Sequence, residues 1–148
     1  MSGIMAIESV RGDEYFTLDK DAEVIAQHIK KPMRVWCPFN DEGAAFERIL
    51  PQHGHEVICT SGDFFKTDPP RGVECIISNP PFSKKKEIVK RIDSLGLKFA
   101  LIMPFLWLND GVPFDYANQL MMFRKRMHFT LTQGGGGAKP TSSKLRRD

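Results

Sequence analysis

Val73-Glu74-Cys75-Ile76-Ile77-Ser78-Asn79-Pro80-Pro81-Phe82 decides how the 148-residue chain is read. Its centre, Cys75-Ile76-Ile77, is continuously apolar and too short for a helix of its own. A strand without polar alternation is buried on both faces, which is the habit of parallel sheets covered by helices. The breaker cluster Asp68-Pro69-Pro70-Arg71-Gly72 delays the strand until Val73. Pro80 and Pro81 end it, because each fixes φ and neither carries an N–H for a ladder. The same two residues are expected to leave the carbonyls of the turn outside an ordinary helix start.

Beyond the corner, Ser83 is the expected N-cap of a helix through Ser94, with Ile88, Ile92 and Leu95 aligned and Gly96 as its stop. Phe99 to Met103 reads as a strand closed by Pro104. Residues 113–122 are expected to be helical. Met127, Phe129 and Leu131 alternate with polar residues, as in a half-buried last strand. Before the corner, Asp19 to Lys31 predicts a helix with Ala22, Ile25, Ala26 and Ile29 on one face. Asp19 and Asp21 suit its start, Lys30 and Lys31 its end, and Pro32 stops it. Met33–Cys37 and Glu56–Thr60 read as short strands. Between them lie the turn Pro38-Phe39-Asn40-Asp41-Glu42-Gly43, a short helix from Ala44 to Leu50 ended by Pro51, and a turn at His53-Gly54-His55. Gly62-Asp63-Phe64-Phe65 forms a loop or a short helical turn. Strands alternating with helices imply an α/β domain on a mostly parallel sheet flanked by helices, in three layers. Such sheets bind ligands at the C-terminal ends of their strands, where turns 38–43 and 79–82 both fall.

One sizeable core suits a chain of this length, and residues 1–132 are assigned to it. From Gln133 onward, Gly134–Gly137 and the Pro/Ser/Lys/Arg run cannot bury a core, so residues 133–148 are expected to be a disordered basic tail. Residues 1–14 hold no apolar run suited to a signal peptide or membrane span, so a cytoplasmic protein without a membrane partner is expected. Cys37, Cys59 and Cys75 form no CxxC pair, which favours buried thiols in a reducing compartment. His53 and His55 have no obvious third ligand, so no metal is expected and both read as surface histidines. The net charge of +3 hides an asymmetry. Residues 1–63 carry six basic and eleven acidic side chains, residues 64–148 fifteen and seven. A basic half suits an anionic partner, or an ordinary solvated surface.

The corner itself suggests a chemistry. An exocyclic amine on adenine or cytosine is a poor nucleophile, because its lone pair is delocalised into the ring. Two acceptors, the Asn79 side-chain oxygen and the Pro80 carbonyl, would hold both amine hydrogens and favour a tetrahedral nitrogen. Phe82 would stack on the base, a contact worth about 1–3 kcal/mol. Asn79 as a plain turn residue is the rival to that role.

Asn-Pro-Pro-Phe after a strand resembles the catalytic motif of S-adenosylmethionine-dependent N6-adenine and N4-cytosine methyltransferases. Tyr15-Phe16-Thr17 before a helix resembles the family's Tyr-x-Thr-Pro segment of the cofactor pocket, with Leu18 in place of the proline. Val35-Trp36-Cys37-Pro38-Phe39 resembles the strand and turn of the Asp/Glu-Pro-Phe-x-Gly-x-Gly cofactor motif. Gly62-Asp63-Phe64-Phe65 resembles the segment whose aspartate binds the cofactor's adenine amine. The likeness covers roughly residues 15–130 and extends to short phage-encoded adenine methyltransferases. It implies a Rossmann-like class I methyltransferase fold and S-adenosylmethionine as cofactor, held by Tyr15, Phe16, Thr17, Pro38, Phe39, Asn40, Glu42, Asp63 and Phe64. It implies catalysis at Asn79, Pro80, Pro81 and Phe82, with adenine N6 in DNA, ahead of RNA, as the target. The chain also departs from the pattern. Cys37 stands where the family often has an acid, Asn40-Asp41-Glu42-Gly43 replaces a glycine-rich turn, and Ile58-Cys59-Thr60-Ser61 lacks the ribose-binding acid.

Lys84, Lys85 and Lys86 lie at a helix start, where the macrodipole disfavours cations. With Arg124 and Arg126 they are candidate phosphate contacts, or a solvated face. Asp63 binds the cofactor or caps a helix, and Trp107 borders the substrate mouth with Asn109 or packs in the core. There is no room for a separate target-recognition domain. Low sequence specificity, a short site, a homodimer or partner subunit, or a substrate other than duplex DNA is therefore expected, and a base in a duplex would have to be flipped out. The alternative class is a non-catalytic protein that keeps the fold and binds nucleic acid or a host protein, for example as a phage factor against host defence. Cutting the chain after Thr132 is expected to leave the melting temperature unchanged. A drop of many degrees would show that the tail packs on the domain.

Overall fold

The computed structural model describes residues 16–39, 44–124 and 129–130. Four parallel strands form the sheet: β2 (Arg34–Cys37), β3 (Glu56–Cys59), β4 (Cys75–Ser78) and β5 (Lys98–Leu101). Their order is β3-β2-β4-β5. Val35 lies opposite Cys75 and Trp36 opposite Ile76, while Cys37 is the register partner of Cys59. A separate antiparallel pair joins β1 (Phe16–Thr17) to β6 (Phe129–Thr130). The expected last strand is therefore present at 129–130, while Met127, Leu131 and residues 133–148 lie outside the described residues.

Alternation along β2 and β4 divides the core into two layers. Val35, Cys37, Cys75 and Ile77 meet helices α1 (Asp19–Gln27) and α2 (Ala45–Ile49), with Ala22, Ile25, Ala26 and Phe46 as their partners. Trp36 and Ile76 meet α3 (Lys85–Ser94) on the other face, through Ile88, Val89 and Ile92, and are joined by Phe64, Leu101, Met103 and Trp107. A parallel sheet with helices on both faces is the three-layered α/β arrangement read from the pattern of strands.

Several element ends depart from expectation. Helix α1 stops at Gln27 rather than Lys31, because the His28 and Ile29 N–H groups reach carbonyls three residues back and tighten the last turn. Lys30 still serves that end, since its Nζ donates to the Gln27 carbonyl at 2.7 Å. Pro51 does not end α2. It sits in the first turn of a 3-10 turn, Leu50–His53, that continues it, and Gly54 at φ 85° closes the turn. Ser83 is not an N-cap: Phe82–Lys84 is a 3-10 turn, and Lys84 flanks α3 instead. Helix α4 covers only Val112–Tyr116, because Ala117 turns extended with its N–H on the Pro113 carbonyl. His55 is buried, not superficial, and its Nδ1 accepts the Met33 N–H at 3.1 Å. His53 is half-buried and pairs with Glu23 at 2.8 Å.

The topology also places α1. Residues 28–33 lead from its end to the start of β2. Asp19 pairs with Arg48 on α2, which follows β2, and Glu23 pairs with His53 on the turn into β3. Both pairs run α1 back along the sheet, so its first turn stands at the C-terminal edge of the strands. Ile76 is fully buried at the centre of the second layer. Ile76→Ala is expected to cost about 2–5 kcal/mol in urea unfolding. A loss under half a kilocalorie would mean the two-sided packing of β4 is not what holds the sheet.

Candidate functional site

β2 connects to β3 on one side of the sheet, and the chain then crosses back to β4 and β5 on the other. The connections leaving β2 and β4 therefore diverge, and the C-terminal ends of these neighbours border the crevice where open α/β sheets bind ligands. Pro38-Phe39 leaves β2 there, and Asn79-Pro80-Pro81-Phe82 leaves β4.

At the β4 end, Asn79 is half-buried, Pro80 buried, and Pro81 and Phe82 half-buried, so the corner reaches the surface. Contrary to expectation, some carbonyls are used by a helix start. The Pro81 carbonyl accepts the Lys84 N–H, and the Phe82 carbonyl accepts both the Lys85 N–H and its Nζ, at 3.3 Å. Asn79 and Pro80 stand upstream of this bonding. Phe82 packs against both core layers, which holds its ring at the seam.

At the β2 end, Pro38 is buried and Phe39 half-buried. Phe39 lies 4.7 Å from Phe64, and Phe64 lies 5.6 Å from Trp36 and 5.5 Å from Phe65. The Phe64 ring is 4% exposed. The ring is packed into this aromatic cluster. Arg91 fastens the segment, donating to the Phe64 and Thr67 carbonyls at 3.0 Å each while its guanidinium lies over the Phe64 ring. Nothing in the sequence pattern of α3 flagged it. Asp63 is exposed and closes an Asx turn rather than capping a helix: its Oδ1 accepts the Phe65 N–H at 2.9 Å. Asn40, Glu42, Tyr15 and the Phe16 side chain lie outside the described residues, as does Arg126.

The basic residues divide. Lys85 is turned onto the Phe82 carbonyl, with its Nζ 6.0 Å from the Trp107 ring centre. Lys84 and Lys86 are exposed beside it, and Arg124 is exposed on the segment after α4. Past Trp107, at the end of β5, lies a largely apolar cavity of about 190 Å³, walled by Met103, Pro104, Trp107 and Phe114, with Asn118 and Gln119 among its lining. Trp107 is thus both buried and a cavity wall.

Two polar groups at the same edge carry buried atoms without a partner: Thr17 Oγ1 and Asp21 Oδ2. Thr17 is 7% and Asp21 8% exposed. Burial pushes the Asp21 carboxyl up to about 6, with Lys20 opposing. Its signal was in the sequence, because Asp21 stands on the same stripe as Ala22, Ile25 and Ala26. Cys37 supplies no charge here. Its hydrogen bond with Cys59 and its burial hold the thiol well above its ordinary value, and it donates to the Ile77 carbonyl at 3.3 Å. Burial pushes Cys75 up to about 12. The buried-thiol expectation holds for both, while Cys59 is half-buried.

Among the described residues no group of three His, Cys, Asp or Glu side chains is placed to hold a metal, and no helix is long and apolar enough to cross a membrane. Comparison with protein-family models, curated proteins and solved structures finds no match.

The Asp21 carboxyl binds its proton more tightly folded than unfolded, between its ordinary value near 4 and about 6. Its charge therefore lowers stability as pH rises through that window and leaves stability untouched below it. Asp21→Asn is expected to raise the melting temperature at pH 7.5 and not at pH 3.5. An equal shift at both pH values would mean the carboxyl is not a buried charge.

Proposed function

We propose that the chain is an S-adenosylmethionine-dependent methyltransferase acting on an exocyclic nucleobase amine in nucleic acid, with adenine N6 in DNA as the first candidate. The observation that carries this is the placement of Asn79-Pro80-Pro81-Phe82 at the C-terminal end of β4, where the chain reverses beside β2. That position is where an open α/β sheet receives ligands, and the motif has the acceptors the chemistry needs.

Thr17, Pro38, Phe39 and Asp63 would hold the cofactor, and the orphaned oxygens of Thr17 and Asp21 fit a ligand rich in donors. When bound, S-adenosylmethionine supplies an electrophilic methyl on a sulfonium. The chain's own part is to bind and orient. The Asn79 amide oxygen and the Pro80 carbonyl take the two amine hydrogens, drawing the nitrogen lone pair out of the ring. The prolines keep these acceptors in place, so little reorganisation accompanies attack. Phe82, pinned at the seam of both core layers, offers a ring edge or face to the base. The largely apolar cavity by Trp107 would give a flat ring an apolar neighbour, and Lys84 and Lys86 would meet phosphates. Because the amine loses its proton after the methyl arrives, no histidine base is required. The buried His55 lies at the opposite edge of the sheet.

A second reading, a non-catalytic binder of nucleic acid or of a host protein, draws on Cys37. Its buried, protonated thiol stands where an acid would help hold the cofactor. Calorimetry with S-adenosylmethionine separates the two, since a binder of this kind gives no heat at millimolar cofactor. Asn79→Ala is expected to lower methyl incorporation into DNA or RNA by at least about a hundredfold, the scale for losing one acceptor aimed at developing charge. Cofactor affinity should stay unchanged. Incorporation of labelled methyl at the wild-type rate would remove Asn79 from the chemistry.

A further inference from the structure

Asp21 is the one described carboxylate that is buried, and it is out of place in a helix face made of alanine and isoleucine. It does not cap α1. Leu18 flanks the helix without a side-chain bond, and the first-turn N–H groups of Asp21 and Ala22 go to the Leu18 carbonyl. Neighbouring cations compensate it only in part, through Lys20. Lys20 is exposed, while Arg48 is engaged by Asp19 and His53 by Glu23. One carboxyl oxygen is left without a donor, and four residues earlier the Thr17 hydroxyl is left in the same state.

The position of this pair is set by the core. Ala22, next to Asp21, belongs to the same cluster as Cys37 and Ala45, the residues on either side of the turn that leaves β2. The first turn of α1 therefore packs by the C-terminal end of β2, on the layer opposite α3. A desolvated carboxylate is relieved most strongly by a donor that carries positive charge, because a charge-assisted hydrogen bond is about twice as strong as a neutral one. A hydroxyl beside it serves a second hydrogen of the same group. We infer that Asp21 and Thr17 form an ammonium-binding site, taking the α-amino group of an amino-acid moiety. This rests on the methyltransferase reading, in which that moiety is the methionyl part of S-adenosylmethionine. Asp21 then contributes, from α1, the negative charge that Cys37 does not contribute from the end of β2.

The test is calorimetry at pH 7.5 on the full chain, with S-adenosylmethionine, S-adenosylhomocysteine and 5′-methylthioadenosine, which lacks the amino-acid part. Asp21→Asn is expected to weaken the first two by about 10- to 100-fold, the loss of a buried charge-assisted hydrogen bond, and to leave the third within twofold. Thr17→Val should repeat the pattern at about threefold to tenfold. It also carries the test if Asp21→Asn does not fold, as judged by its melting curve. Two results overturn the inference while leaving the methyltransferase reading intact: both variants binding S-adenosylmethionine like the wild type, or all three ligands losing affinity equally. Wild-type protein that binds none of them at millimolar concentration overturns the reading, and the inference with it.

Discussion

Pairing of β2 with β4 is the constraint from which the rest follows. The two strands lie parallel at the centre of the sheet, with Val35 opposite Cys75 and Trp36 opposite Ile76. Their side chains are buried on both faces, so neither strand can slip by one residue without moving its apolar set into the wrong layer. The Cys37 thiol on the Ile77 carbonyl marks the same alignment at the strand ends. With register held this way, Pro38 and Asn79 must leave the sheet side by side. Their chains then part in opposite directions, which makes this the switch point where open α/β sheets receive ligands.

Support for the switch point differs on its two sides. Under the β3 loop, Trp36, Phe39, Phe64 and Phe65 form an aromatic wedge, and Arg91 ties its backbone to α3. Trp36 adds a 2.9 Å bond from its Nε1 to Thr60. At the β4 corner the stiffness is covalent, in two consecutive prolines, followed by a 3-10 turn closed through Lys85. Side chains in close-packed surroundings transmit displacement rather than absorb it. The two sides are thus coupled through β4 and α3.

Much of this was legible in the chain. Strand positions followed from short apolar runs between breakers, and the three-layered arrangement followed from their alternation with helices. Local hydrogen-bond choices were less legible. Whether Ser83 or Lys84 flanks α3, and whether Pro51 ends α2 or opens a 3-10 turn, depends on how carbonyls near a proline are shared, which composition does not encode. Phe64 and Phe65 are neighbours of the same type, and only packing tells which ring is buried. The histidines were misjudged because His53-Gly54-His55 looks like an exposed turn, yet the start of β3 carries His55 under Met33. Asp21 was assigned to the helix dipole, although its place on the apolar stripe of α1 already argued that it was buried.

That last point bears on what kind of protein the chain is. A fold kept only for binding through its surface gains nothing from a carboxyl raised to about 6 by burial, since at neutral pH the charge works against folding. Asparagine in its place would remove that charge and the cost that goes with it. Strain of this kind is tolerated where a ligand relieves it. Asn79 stands at a neutral corner, the first turn of α1 holds one Asp21 oxygen without a donor, and Lys84 and Lys86 lie exposed beyond the corner. The proposed methyl donor and nucleic acid carry an amine, a cationic amino-acid group and phosphates, and that chemical match is the ground for preferring the proposal to a host-protein partner.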